Sequence, residues 1–119
     1  GGAVVCDIKS SVALKERVVA DGGSCHMVPS GHSHIKKAMA ETNAILAGEL
    51  SCHFFFKDRY FGFDDGIYAS LRLVEMLLEQ KKPLAELLQI IPQKISSPEL
   101  TLPVAEDHKK MVVSHVHNY

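Results

Sequence analysis

Short apolar runs alternate with helix-forming segments in the first half of the chain, and this alternation restricts the fold more than any other feature of the sequence. Residues 3–8 and 25–28 are two such runs, bounded by Gly, Ser or Pro, as expected for buried strands. Between them, Ser11 can cap a helix that ends at Gly22 and Gly23. Strands that are joined through a helix pair in parallel, with right-handed crossovers.

The following segments extend this β-α-β pattern. Ser33 can cap a second helix that ends at residues 42–43, and residues 44–47 and 53–57 are the third and fourth predicted strands. Their connection, residues 48–52, is too short for a crossover, so these two strands should be antiparallel. The predicted fold class is therefore α/β: a three-layer α/β/α domain with a small mixed sheet of about four strands, the last of them antiparallel.

A strongly patterned helix is predicted in the second half of the chain. Apolar residues recur there at the spacing of one helix face through about Gln80: Ile67, Leu71, Val74 and Leu78. Asp64 and Asp65 precede this helix, and we interpret them as caps for its positive end. Pro83 can open one more helix at its first position, with an apolar stripe of Leu84, Leu87, Leu88 and Ile91.

Prolines and serines then break the pattern and divide the chain. We predict one domain over residues 1–92 that lacks its own start, because the chain opens directly on a strand. Residues 93–103 are predicted to be a linker, and residues 104–119 the truncated start of a C-terminal domain.

Charge and cysteine content exclude several classes of partner. The formal net charge of -1 at pH 7 provides no electrostatic footprint for nucleic acid. No apolar run approaches the roughly 20 residues that cross a bilayer, so no membrane partner is predicted. Cys6, Cys25 and Cys52 are odd in number and lack CxxC spacing, which favours free thiols and a cytoplasmic location.

The densest polar cluster is GELSCH at residues 48–53. If this segment is extended, Glu49, Ser51 and His53 lie on one side of it. A carboxylate, a hydroxyl and an imidazole that converge can accept from and donate to neighbouring hydroxyl groups. This set suits a polyol, although a polar hairpin turn explains the same residues.

The same segment is similar to the GEMSGH sugar-binding loop of the α-D-phosphohexomutases, the phosphoglucomutase/phosphomannomutase family. Residues 5–9 resemble the family's strand and Asp-x-Lys segment, and residues 30–36 resemble its Thr/Ser-Gly-His-x-x-Ile-Lys segment. Residues 54–66 follow the loop as in the family. The resemblance extends from about residue 3 to residue 102, in order and with similar spacing, and it points to the third of the family's four domains.

This resemblance implies a set of sugar-binding residues: Lys9, Gly31, His32, Glu49, Ser51 and His53. It implies a parent enzyme that interconverts hexose 1-phosphate and hexose 6-phosphate through a phosphoserine, with Mg²⁺ in its second domain. The implied partners are a phosphosugar, glucose or mannose 1- or 6-phosphate, and the other domains of the parent. This chain contains neither the Thr-Ala-Ser-His-type loop nor the Asp-Gly-Asp-Gly-Asp loop, so we expect no catalytic residue, metal or cofactor in it and no activity by itself.

Two positions depart from the family's loop. Leu50 replaces methionine, which conserves volume. Cys52 replaces glycine, and if that position has a positive φ angle, cysteine strains the loop.

Two other functions remain open from the sequence. Zinc-type ligands are present at Cys25, His26, His32, His34, Cys52 and His53, although without the spacing of a zinc finger. The three aromatics of residues 54–56 could instead belong to a protein-interaction surface.

Overall fold

The computed structural model of this protein describes residues 1–117. Four strands and five helices, with one short 3₁₀ turn at Glu106–His108, follow one another in this part of the chain. Their bounds are β1 (Ala3–Asp7), α1 (Val12–Ala20), β2 (Ser24–Val28), α2 (His32–Thr42), β3 (Leu46–Gly48), β4 (Phe54–Phe56), α3 (Gly66–Gln80), α4 (Leu84–Leu88) and α5 (Lys109–His117).

The strands form one mixed sheet in the order β2-β1-β3-β4. β1 runs parallel to both β2 and β3, whereas β3 and β4 are antiparallel. The predicted fold class is therefore confirmed. Because β2 and β3 lie on opposite sides of β1, right-handed crossovers place α1 and α2 on opposite faces of the sheet.

The helix boundaries follow from local chemistry in most places. Ser11 caps α1 as predicted, since its Oγ accepts a hydrogen bond from the Ala13 N–H at 3.2 Å. Asn43 ends α2 in the left-handed conformation, with φ of 54°. The prediction for Ser33 was wrong, because α2 begins at His32 after Gly31, whose φ of 124° suits glycine.

The third and fourth strands are shorter or shifted relative to the predictions of residues 44–47 and 53–57. β3 covers Leu46–Gly48 and β4 covers Phe54–Phe56. Ala44 precedes β3 but is fully buried, and its N–H donates to the Met39 carbonyl at 3.1 Å. The apolar run was therefore recognised correctly, but part of it serves to end α2.

The main hydrophobic core lies between α2 and the sheet. It consists of Val5, Ile35, Ala38, Met39, Ala44, Ala47 and Phe55. Among the three consecutive aromatics of β4, Phe55 is fully buried whereas Phe54 is 41% exposed, as expected for side chains that alternate across a strand. Cys6 is buried outside this core cluster.

Helix α3 lies against β4 with its polar and aromatic side chains. The Arg72 guanidinium lies 4.7 Å from the centre of the Phe56 ring, and Tyr68 meets the same ring edge-on. The predicted helix is confirmed, but its apolar stripe is on the surface: Ile67 and Leu78 are 80% and 71% exposed. In this chain, therefore, α3 does not contribute that stripe to the core.

The C-terminal part has less regular structure. Pro83 immediately precedes α4, which ends at Leu88, so Ile91 of the predicted stripe lies beyond the helix. Residues 92–105 contain no helix or strand, and the last two residues of the predicted segment 104–119 lie outside the described residues. Within residues 1–117, none of the helices has the length and apolar character required to span a membrane.

Candidate functional site

The carboxyl ends of β1, β2 and β3 meet at one edge of the sheet. Asp7 is the last residue of β1, Gly31 follows β2 after a short turn, and Glu49 follows β3. The strand order changes direction at β1, because β2 lies on one side of it and β3 on the other. In α/β sheets, the crevice at such a switch point is the usual place for a ligand.

Asp7 joins the segments that form this edge. This residue is 2% exposed, and its Oδ1 accepts hydrogen bonds from the Ser10 hydroxyl at 2.7 Å and the Leu50 N–H at 3.3 Å. Its Oδ2 accepts from the Ser30 hydroxyl at 2.8 Å. Burial by itself raises the pKa of Asp7, but these hydrogen bonds outweigh burial and hold the pKa below its usual value of 3.8.

The sequence interpretation gave Asp7 no role. The available signal was a carboxylate at the end of a strand that is otherwise apolar, since a charge in that position requires partners from other segments.

Glu49 is the second buried carboxylate at this edge, with a side chain that is 4% exposed. Its Oε1 accepts a hydrogen bond from the Gly31 N–H at 2.6 Å, at the N-terminus of α2, where the helix dipole favours negative charge. Its Oε2 is buried and has no hydrogen-bond partner among the described residues. His32 Nε2 lies 3.8 Å from this oxygen. One oxygen is thus fixed, and the other is available as an acceptor.

The segment that carries Glu49, Ser51 and His53 is a tight turn and not an extended strand. The Cys52 N–H donates to the Glu49 carbonyl at 3.0 Å, and the Glu49 N–H donates to the His53 carbonyl at 3.0 Å. The argument from strand alternation was therefore wrong. The chain reversal, and not a period of two, brings Glu49 and His53 to the same region.

Cys52 occupies a strained position within this turn. Its φ angle is 66°, in the left-handed region that favours glycine. This confirms the expectation that cysteine, in place of the glycine of the resembled loop, is strained there. The Cys52 side chain is exposed, so no core packing offsets the strain.

A cluster of two imidazoles and a carboxylate lies beside Glu49. His53 Nδ1 is 2.7 Å from Asp64 Oδ2, and His32 Nε2 is 3.5 Å from the same oxygen. The His32 and His53 rings meet edge-on, with 4.7 Å between their centres. Asp64 Oδ1 also accepts a hydrogen bond from the Phe54 N–H at 3.3 Å, which holds the carboxylate against β4.

This position of Asp64 corrects the interpretation of both aspartates as helix caps. Asp65 alone caps α3, since its Oδ1 accepts from the Tyr68 N–H at 2.9 Å. Asp64 instead belongs to the site, which the sequence interpretation did not predict. The available sequence signal was that two adjacent aspartates precede α3, whereas a helix N-cap requires only one.

Lys9 has a different partner. Its ammonium lies 2.6 Å from Glu99 Oε1, and this hydrogen bond raises the pKa of Lys9 above its usual value. Among the described residues, no recorded hydrogen bond or ion pair links Lys9 to Glu49 or His53. The structure therefore brings together four of the six predicted sugar-binding residues, namely Gly31, His32, Glu49 and His53, while Ser51 is exposed in the same turn.

The residues of the two alternative functions are largely dispersed. Cys25 lies on β2 with its sulfur 3.6 Å from that of Cys6, and His26 is exposed on the same strand. Of the six predicted zinc-type ligands, His32 and His53 are the two that share a metal-suitable group in the described part of the chain. An open, largely apolar groove of about 720 Å³ between β4 and α3 includes Phe54 and Phe56.

Comparison with known proteins identifies the family of this chain. Residues 1–95 match the family described as phosphoglucomutase/phosphomannomutase, alpha/beta/alpha domain III. A phosphoglucomutase of Neisseria meningitidis serogroup A is 47% identical over 106 residues, which cover 89% of this chain and 23% of that protein. A phosphomannomutase/phosphoglucomutase of Pseudomonas aeruginosa is 42% identical over 113 residues, which cover 95% of this chain and 24% of that protein.

A solved structure has the same fold. The crystal structure of a phosphoglucomutase/phosphomannomutase family protein from Burkholderia thailandensis superimposes with a TM-score of 0.74 and 44% sequence identity, over 82% of this chain and 21% of that one. This chain spans about a quarter of the length of the curated relatives that it matches.

Proposed function

Because this chain belongs to the phosphoglucomutase/phosphomannomutase family and matches its α/β/α domain III, we propose that it is the sugar-recognition domain of a phosphohexomutase. The full-length enzyme then interconverts hexose 1-phosphate and hexose 6-phosphate through a phosphoserine. Its substrate is a phosphosugar such as glucose or mannose 1-phosphate, and its other domains complete the cleft.

The observation that carries this proposal is the free oxygen of Glu49. A buried carboxylate oxygen without a donor is costly, because burial removes the water that would hydrogen-bond to it. A sugar hydroxyl supplies the missing donor, and charge-assisted hydrogen bonds of this kind contribute roughly 1.5–3 kcal/mol each. The Gly31 N–H already holds the other oxygen, so the carboxylate is oriented before the ligand arrives.

The neighbouring imidazoles suit the same ligand. An imidazole donates or accepts depending on its tautomer, and a sugar hydroxyl does both. The side chains of His32 and His53 are 46% and 43% exposed, so a ligand can reach them from solvent. A buried acceptor beside two half-exposed imidazoles therefore matches a polyol better than an apolar molecule.

The residues present do not fit the Mg²⁺ site of the family, which the resemblance assigns to another domain. The carboxylate of Asp65 is engaged with the Tyr68 N–H and the Tyr60 hydroxyl. Asp64 is engaged with His53 and Phe54. These acids are not a cage of free oxygens, and no step of our proposal uses Mg²⁺ in this chain.

The test is an NMR titration of the 119-residue chain with glucose 1-phosphate in the absence of Mg²⁺. One domain supplies part of a cleft, so we expect a dissociation constant no better than on the order of millimolar. Chemical-shift changes should concentrate at residues 31–32 and 48–53. Glu49→Gln should weaken binding, whereas Glu41→Gln on the exposed side of α2 should not. Shifts elsewhere, or equal effects of the two variants, would contradict the proposal.

The same proposal expects no mutase activity from this chain by itself. Phosphoryl transfer requires a nucleophile and charge stabilisation, and this sequence contains neither of the two family motifs that supply them. Conversion of glucose 1-phosphate to glucose 6-phosphate by the pure chain, above a mock purification, is the outcome that would refute this part.

A further inference from the structure

The ligand atoms of His32, His53 and Asp64 are close enough to share one metal ion. All of them lie within 4.8 Å of one another. Asp64 Oδ2 is central, at 2.7 Å from His53 Nδ1 and 3.5 Å from His32 Nε2. The three side chains come from three segments: His32 begins α2, His53 immediately precedes β4, and Asp64 lies in the loop before α3. Their convergence is therefore a product of the fold and not of sequence proximity.

A second carboxylate lies beside His32. Glu49 Oε2 is buried without a hydrogen-bond partner among the described residues and lies 3.8 Å from His32 Nε2. The Glu49 side chain is 4% exposed, so its charge is largely shielded from bulk water. A cation bound to His32 would lie near this carboxylate and offset part of its charge.

We propose that His32, His53 and Asp64 form a binding site for a divalent transition metal ion, Zn²⁺ in the first instance. Two imidazole nitrogens with a carboxylate oxygen are a donor set that Zn²⁺ accepts, whereas Mg²⁺ and Ca²⁺ prefer oxygen ligands alone. This site shares His32 and His53 with the proposed sugar-binding function, but zinc binding can be measured without a sugar, and the site differs from the Mg²⁺ site that the family resemblance implies. It also departs from our expectation that this chain holds no metal.

The distances are compatible with tetrahedral coordination. Zn²⁺ bonds of about 2.0–2.1 Å place ligand atoms roughly 3.4 Å apart in a tetrahedron. The separation of 3.5 Å from His32 Nε2 to Asp64 Oδ2 is close to this value. The pair of His53 and Asp64 must open from 2.7 Å, as the ion replaces the hydrogen bond between them. The side chains of these two residues are 43% and 26% exposed, which leaves room for that movement.

Metal and sugar should compete, because both use His32 and His53. Zn²⁺ would occupy the imidazole nitrogens that a sugar hydroxyl would otherwise contact. Zinc should therefore weaken the glucose 1-phosphate titration, and the effect should disappear in a variant that no longer binds zinc.

The experiment is isothermal titration calorimetry of the 119-residue chain with Zn²⁺ chloride in a non-chelating buffer. Cys52→Ser serves as the background, because the exposed Cys52 thiol is itself a zinc ligand. We expect one equivalent of Zn²⁺, with no displacement by excess Mg²⁺. Loss of a residue that hydrogen-bonds to a metal ligand typically weakens metal binding about ten- to a hundredfold. Loss of a direct ligand in His53→Gln or Asp64→Asn should therefore lower the zinc affinity by at least about a hundredfold.

The controls separate a local site from adventitious binding. His26→Gln removes an exposed imidazole from β2 outside the cluster and should leave the affinity unchanged. Asp64 also accepts from the Phe54 N–H, so His32→Gln is the second variant if Asp64→Asn does not fold. Circular dichroism and thermal unfolding establish that each variant is native.

Several outcomes would overturn the metal site. These are the absence of a stoichiometric zinc transition, an affinity that survives His32→Gln and His53→Gln, and an equal loss in His26→Gln. Failure of zinc binding with the sugar shifts intact refutes the metal site alone. Zinc binding without any sugar shifts refutes the sugar-recognition proposal alone.

Discussion

The two buried carboxylates at the sheet edge, Asp7 and Glu49, have similar burial but different hydrogen bonding. Asp7 is 2% exposed, and both of its oxygens accept hydrogen bonds, from Ser10, Ser30 and Leu50. Glu49 as a whole residue is 8% exposed. One of its carboxylate oxygens accepts a hydrogen bond from the Gly31 N–H, and the other has no donor among the described residues. A complete set of donors suits a residue that holds segments together, whereas an incomplete set leaves a residue able to bind a ligand.

The difference has an energetic consequence. Removal of Asp7 leaves the Leu50 N–H and the hydroxyls of Ser10 and Ser30 without their acceptor at a partly buried position, and donors that are left unpaired away from water are costly. Removal of the charge of Glu49 eliminates an oxygen that had no partner in the first place. Stability should therefore depend on Asp7, and ligand binding on Glu49.

The largest effect that we predict is the loss of stability in Asp7→Ala. Hydrogen bonds to a charged group contribute roughly 1.5–3 kcal/mol each, and they are not fully additive, so the free energy of unfolding should fall by at least about 3 kcal/mol. Urea unfolding of the 119-residue chain measures this change. Asp21→Ala, which removes an exposed carboxylate paired with Arg17, is the matched control and should cost no more than about 1 kcal/mol. Similar losses in both variants would contradict the stabilising role of Asp7.

The second effect concerns Glu49→Gln in the full-length enzyme. Glutamine retains the oxygen that accepts from Gly31 but places a donor nitrogen where a sugar hydroxyl would donate. We expect kcat/KM to fall about tenfold to a hundredfold, at 1.36 kcal/mol per decade. The free energy of unfolding should change by less than about 1 kcal/mol.

Kinetics and thermal unfolding of the same Glu49→Gln protein provide the check. Unchanged activity would mean that Glu49 does not bind the sugar. A collapse of the melting temperature together with activity would mean that Glu49 is structural, as we propose for Asp7.

A third effect should appear as acid sensitivity. Since the folded-state pKa of Asp7 is lowered, its contribution to stability is present above the unfolded value of 3.8 and is lost as pH falls through the folded pKa. A hydrogen bond from Arg72 likewise lowers the pKa of Asp58, and one from the Tyr68 N–H lowers that of Asp65. Both residues therefore add to the loss of stability on acidification.

Urea unfolding at several values of pH below about 5 isolates the part due to Asp7, when the chain is compared with its Asp7→Asn variant. The variant should lose stability less steeply on acidification, because it has no carboxylate to protonate. Parallel pH dependence in the two proteins would contradict the lowered pKa.

The smallest effect that we predict concerns Cys52, in the turn formed by residues 49–53. A cysteine with φ of 66° costs on the order of 1 kcal/mol, so Cys52→Gly should raise the free energy of unfolding by up to about that amount. Lys81→Gly, at φ of 52° after α3, is the control for strain outside the site. Both should stabilise, and a loss of stability in Cys52→Gly alone would show that the side chain has a structural role.

The sequence predicted most of the local structure because the signals are themselves local. Ser11 forms the cap expected from its position, and Asn43 ends α2 in the left-handed conformation. Ser33 was wrong because Gly31 already allows the turn into the helix one residue earlier than a serine cap requires. The surface position of Ile67 and Leu78 was also beyond prediction, since a periodic pattern defines a helix face but not what covers it.

For the candidate site, the sequence indicated residues without their geometry. The segment 48–53 was identified from its resemblance to a family loop, yet its conformation is a turn and not the extended form that alternation assumed. The sugar-binding roles of Lys9, Gly31, His32, Glu49, Ser51 and His53 stay predictions until the titrations are done.

The sequence by itself determined the order of strands and helices, the parallel and antiparallel pairing and the family, because periodicity, caps and short motifs depend on neighbouring residues. Only the tertiary structure decided which oxygen of Glu49 has a donor and that Asp64 meets His53. Asp64 reaches that position through an antiparallel bridge with Phe55, after the chain has turned back on itself. Hydrogen-bond partners of this kind depend on distances between segments that are far apart in the chain, and no local pattern encodes such distances.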